Sequence, residues 1–94
     1  MAELPQPTCE ITIAGRTVTR SRIVNDWGNR VHWRVSRDGT VLATPQARIE
    51  ETYTHSDETP GSYEIVLETW KHEGYKSKAL GKYVEISNKV SYKI

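Results

Sequence analysis

The chain has 94 residues, enough for one compact domain and too few for two independent cores. Thirteen Lys and Arg face twelve Asp and Glu, for a formal charge of +1, and the two signs are interleaved along the chain. That balance excludes the clustered positive charge of a nucleic-acid groove or a polybasic membrane patch, and no apolar run nears the roughly 20 residues needed to cross a bilayer.

A soluble module with no membrane insertion is therefore expected. A domain of this size buries only about 60–65% of its extended surface, so its stability margin is expected to be narrow. The opening MAELPQPT has neither the basic nor the apolar region of a secretory signal, and residues 1–8 read as a flexible N-terminal segment. A module cut from a longer exported protein would begin just as abruptly. Cys9 is the single cysteine, so no disulfide closes within the chain and packing alone must hold the fold.

Turn signals recur at short intervals, and the segments between them are rich in Val, Ile, Thr, Tyr and Trp, which is the spacing of an all-β domain. No sustained 3.6-residue apolar period is present, so little or no helix is expected. CEITI (9–13) places Cys9, Ile11 and Ile13 on one face. RTVTRSRIV (16–24) is irregular, because Val18 and Ile23 fall in opposite phases, and a bulge or an edge position would reconcile them. RVHWRVS (30–36) alternates cleanly, with Val31, Trp33 and Val35 inward and His32, Arg34 and Ser36 outward. Asp38-Gly39 supplies a turn tolerant of positive φ, and TVLAT (40–44) returns as a short strand. RIEETYT (48–54) carries Ile49 and Tyr53 in one phase, interrupted by Glu51.

Pro60-Gly61 then reverses the chain without strain. Beyond it Tyr63, Ile65 and Leu67 point one way while Glu64, Val66, Glu68 and Trp70 point the other. KYVEISNKVSYKI (82–94) runs Val84, Ile86, Val90, Tyr92 and Ile94 in one phase, with polar Asn88 in that same phase, at a bulge or beside a chain end. These seven segments imply two antiparallel sheets packed face to face, with Trp33, Tyr63, Ile65 and Leu67 in a shared interior. The Tyr63 hydroxyl is expected to return to backbone near the turn.

The order Trp33 with Asp38-Gly39, then Tyr53 and His55, then Pro60-Gly61-Ser62-Tyr63-Glu64-Ile65-Val66-Leu67, resembles the second half of a PKD (polycystic kidney disease) repeat over roughly residues 31 to 70. The family's Trp-Asp-Phe-Gly-Asp-Gly stands here as Trp33-Arg34-Val35-Ser36-Arg37-Asp38-Gly39, without the first acidic residue, the aromatic and the first glycine. Fibronectin type III domains likewise carry a Pro-Gly and a Tyr ahead of a long strand. The resemblance implies an immunoglobulin-like β-sandwich that is not an enzyme, commonly extracellular or at the cell surface, serving as a spacer or a binding surface.

Trp70 and Tyr75, with Trp27 in the NDWGN loop, could form an exposed aromatic platform that stacks on sugars or anchors a protein; the alternative is that these rings cover the open end of the sandwich. A carbohydrate-binding module and a subunit assembling through an uncovered edge strand are the competing functional classes, although a monomer is expected. His32 and Arg34, facing Glu64 and Glu68 on the neighbouring strand, are expected to form a solvated face. His32, His55 and His72 have no ligand spacing with Cys9, and Asp57-Glu58 lacks the ordered oxygen series of a calcium loop, so no metal or cofactor is expected. Cys9 reads as a small buried hydrophobe, and Glu50-Glu51 lie on opposite faces of a strand, so neither suits catalysis.

Overall fold

Two-residue alternation of apolar side chains builds eight strands and no helix in the computed structural model, which describes residues 5–72 and 81–94. In chain order they are β1 (Ile11–Ala14), β2 (Thr17–Arg20), β3 (Val31–Arg37), β4 (Thr40–Ala43), β5 (Thr52–Thr54), β6 (Ser62–His72), β7 (Gly81–Glu85) and β8 (Val90–Lys93). One sheet has the order β1-β2-β5; the other has the order β4-β3-β6-β7, with β8 also paired to β6. All these strand pairs are antiparallel. The arrangement is an all-β sandwich of two antiparallel sheets in which β4 pairs with β3 in the larger sheet.

The core lies where the inner faces meet. β3 contributes Val31, Trp33 and Val35, β6 contributes Ile65 and Leu67, and the facing sheet adds Ile11 and Val18. Trp33 sits directly across from Leu67 and Val35 across from Ile65, as their shared inward phase requires. Burial of each such aliphatic side chain contributes about 1.5–3 kcal/mol. Tyr63, also buried, stacks on Tyr92 at 4.8 Å, and its hydroxyl donates to the Thr59 carbonyl at 2.5 Å, spanning the Pro60-Gly61 reversal. The β3–β4 turn places Asp38 at φ +50° and Gly39 at φ +87°, the two positive values that let a two-residue link follow the sheet twist.

Several expectations are corrected. The last segment, read as one strand with Asn88 at a bulge or beside a chain end, is two strands with the bulge between them: β7 and β8 both run along β6, and residues 86–89 lie outside both ladders. That bulge reaches the other sheet. Cys9 N–H donates to the Ile86 carbonyl at 2.8 Å, and the Asn88 carboxamide accepts from Ile11 N–H and donates to Ile11 carbonyl, both at 2.9 Å. Asn88 thus fills the place of a missing strand along the edge of β1.

β2 stops at Arg20, so Val18 and Ile23 need not share a phase, and both are buried. Ile49 lies outside β5 and is 81% exposed, because residues 44–51 form a loop and not the first half of a strand. The N-terminal segment is tied at its inner end: Pro7 is fully buried, and Thr8 exchanges two backbone hydrogen bonds with Val24.

Candidate functional site

The outer face of the five-stranded sheet is not the solvated face expected of His32, Arg34 and Glu68. Register puts His32 opposite Glu68 and Glu68 opposite Glu85, while Arg34 stands one step along. His32 Nε2 lies 2.8 Å from Glu68 Oε1, Arg34 Nη1 donates to Glu68 Oε2 at 2.7 Å, and Arg34 Nη2 reaches Glu85 at 3.1 Å. Tyr83 stacks on the His32 ring at 3.9 Å. Long side chains and this ring cover the sheet, leaving Glu68 only 6% exposed and the neighbouring outward Val66 1% exposed. Both Glu68 oxygens are engaged and the imidazole is covered, so the constellation locks β3, β6 and β7 together.

A second cluster closes the end of the sandwich near Tyr63. Tyr53 Oη lies 2.9 Å from His55 Nδ1, and His55 Nε2 lies 4.0 Å from Asp57 Oδ2. Asp57 Oδ1 accepts from the Thr59 hydroxyl at 2.7 Å and from its backbone N–H at 2.9 Å, and Oδ2 accepts from Arg37 at 2.9 Å. The Thr59 bonds, hydroxyl first, hold the Asp57 carboxyl below the ordinary carboxylate range. Burial raises Tyr53 and Tyr92 above the ordinary phenol range, so both stay neutral. His32 and His55 therefore belong to separate clusters, the His72 side chain lies outside the described residues, and the Cys9 thiol packs against the Ser21 carbonyl at 3.3 Å. Among the described residues no three His, Cys, Asp or Glu side chains converge as a metal site.

Of the aromatic candidates, Trp70 is the one with neighbours packed on its ring. The Arg30 guanidinium lies 4.9 Å over the Trp70 ring, and Tyr83 approaches its edge at 5.1 Å. The indole also lies against Gly81, where a methyl group would stand 2.9 Å from Cε2 and Cζ2 and collide with the Lys71 carbonyl. A sugar stacking on the face that Arg30 covers would have to displace it. Trp27 is partly exposed in the loop after β2, and Tyr75 lies outside the described residues.

A site that sequence reasoning missed lies at the loop end, between residues 21–30 and 44–51. A cavity of about 690 Å³ is lined there by Arg20, Arg22, Arg48, Asp26, Ile23 and Val24, among others. Arg20 closes β2 and donates to three carbonyls: Nε to Ala47 at 2.8 Å, Nη1 to Ser21 at 3.1 Å and Nη2 to Arg48 at 2.8 Å. Arg48 grips both Asp26 oxygens at 2.9 Å and also donates to the Asn29 carbonyl. Arg48 holds the Asp26 carboxyl down at about 2. No local pattern could have revealed this site, since Asp26 and Arg48 meet only through packing of two loops; the sole hint was the Arg20-x-Arg22 pair at a strand end.

No family model, curated protein or solved structure matches the chain. No helix among the described residues is long and apolar enough to cross a membrane.

Proposed function

We propose that this chain is a non-catalytic, immunoglobulin-like interaction module that engages a protein partner through its loop end, within an exported or cell-surface protein. The observation that carries this reading is the gathering of otherwise unused surface at that end. Val24 is 54% and Ile49 is 81% exposed, and Val24 lines the arginine-rich cavity while Ile49 follows Arg48 directly. Loops held by a rigid sandwich are the usual place for recognition, and apolar side chains beside arginine are the composition of an interface centre. The PKD-like and fibronectin type III-like resemblance supports the same role and the extracellular setting. The carboxylates Glu68 and Asp57 are each paired with an arginine, which fits a structural role for both clusters.

The test is a screen of the purified chain against peptide and glycan libraries, followed by amide chemical-shift mapping. Shifts confined to residues 22–29 and 46–49 support the reading, and shifts confined elsewhere remove it. Carbohydrate binding is less favoured by the covered Trp70 ring, and it then rests on Trp27 and on Tyr75, which lies outside the described residues. Assembly through an edge strand has one observation in its favour, the 52% exposure of Val41 on β4, whose outer edge is unpaired among the described residues. A mass that rises with concentration in sedimentation would favour that second reading.

A further inference from the structure

The geometry points to the Arg20–Arg22–Arg48 cavity as a carboxylate-binding site that takes an acidic side chain of a polypeptide segment, with aliphatic neighbours of that residue resting on Val24 and Ile49. The inference rests on the loop-end reading above and names the chemistry of the partner.

Charge comes first. The cavity lining carries three arginines against one carboxylate, Asp26, and that carboxylate is committed to Arg48. Arg20 is held by three neutral carbonyls, which fix its plane, and it shares with Arg48 the single cavity carboxylate, Asp26. Glu50 and Glu51, next along the loop, form no ion pair with it among the described residues, and the Arg20 contact at Glu51 is backbone to backbone. Donor arithmetic gives the same answer. A guanidinium has five N–H groups; Arg20 spends three in these bonds, while Arg22 makes no side-chain hydrogen bond among the described residues. Seven donors therefore remain at one open cavity.

A planar fork that is already oriented suits a planar carboxylate, which it can bind with two parallel bonds at little entropic cost. The rim decides the source of that carboxylate. Aromatic rings would favour a sugar acid, but none lines this cavity; its apolar lining is Ile23 and exposed Val24, with exposed Ile49 next to Arg48 in the chain. Aliphatic surface flanking a cationic fork matches an acidic residue set among apolar ones, and the cavity volume of about 690 Å³ admits a short peptide.

The experiment uses the intact chain and three probes: a blocked hexapeptide alternating leucine and glutamate, its leucine–glutamine counterpart, and a heparin-derived tetrasaccharide. Amide shifts are followed with each. The glutamate peptide is expected to shift residues 20–26 and 46–49, the glutamine peptide is not, and added salt weakens the effect. Arg22→Gln is expected to weaken the glutamate peptide about tenfold, the loss of one charge-assisted bond, and Arg22→Glu to abolish binding. Arg22 is exposed and holds no structural bond, so both variants fold; Arg20→Gln is avoided because Arg20 secures the 47–48 loop. Equal shifts with both peptides, no shifts with either, or unimpaired binding by Arg22→Glu overturns the inference. Binding of the tetrasaccharide alone overturns it in favour of an acidic sugar. Loop-end shifts that ignore peptide charge leave the interaction reading intact, whereas shifts confined to β4 remove both.

Discussion

Asn88 stands in the apolar phase of its segment and looks like a flaw in the alternation, yet its carboxamide serves both polar groups of Ile11 at the edge of β1. Asn88→Ala leaves a buried residue's N–H and C=O to find water, and is expected to cost about 1–2 kcal/mol in urea unfolding. Asn88→Asp keeps the acceptor but sets a carboxylate against a carbonyl, so it is expected to be no better than alanine. Trp33 fills the centre with no exposure, and its indole N–H has no acceptor among the described residues. Trp33→Ala is expected to cost about 3–5 kcal/mol, and Trp33→Phe clearly less, because it also removes an unpaired donor. Asp26 adds a pH dependence. Its folded pKa of about 2 lies below the ordinary carboxylate value of about 3.9, so its contribution is present above pH 4 and is lost as pH falls from about 4 to 2. Thermal unfolding of Asp26→Asn should show a smaller loss over that window than the parent chain does. Of these residues Trp33 was legible from its phase, and Asn88 and Asp26 were not, because each acts on a distant residue.

At the scale of elements, β3 and β6 form the spine, and their clean alternation explains why the inward residues Trp33, Tyr63, Ile65 and Leu67 lie where periodicity puts them. The outer face of the same pair departed from expectation. Alternation assigns a side chain to a face, but only the neighbours decide whether that face is wet, and Tyr83 and Arg34 shield Glu68 here. Glu68→Ala strands His32 and Arg34 at a largely dry site and is expected to cost about 2–3 kcal/mol, a little under the range for a fully buried pair, since Arg34 stays partly exposed. A double-mutant cycle with Arg34→Ala measures the coupling, and additive losses would show that the two side chains act independently. Gly81→Ala forces a methyl group into the Lys71 carbonyl and the Trp70 ring, so it is expected to loosen the β6–β7 pairing, visible as faster amide exchange at residues 82–85.

For the whole molecule, a single core joins both sheets, and the 86–89 bulge ties them at one side. Unfolding is therefore expected as one transition, with tryptophan fluorescence and far-ultraviolet circular dichroism coinciding in urea; separated transitions would mean that the β1-β2-β5 sheet opens alone. The all-β class, the turns at Asp38-Gly39 and Pro60-Gly61 and the central residues of the core were determined by the sequence itself, because two-residue periodicity and turn chemistry act over a few neighbouring residues. The tertiary structure alone decided where the last strand breaks, that Glu68 is shielded, and that Arg20, Arg22, Asp26 and Arg48 share one cavity. Those outcomes depend on contacts between residues 20 to 80 positions apart, and no local pattern encodes the distance at which two loops or two faces will meet.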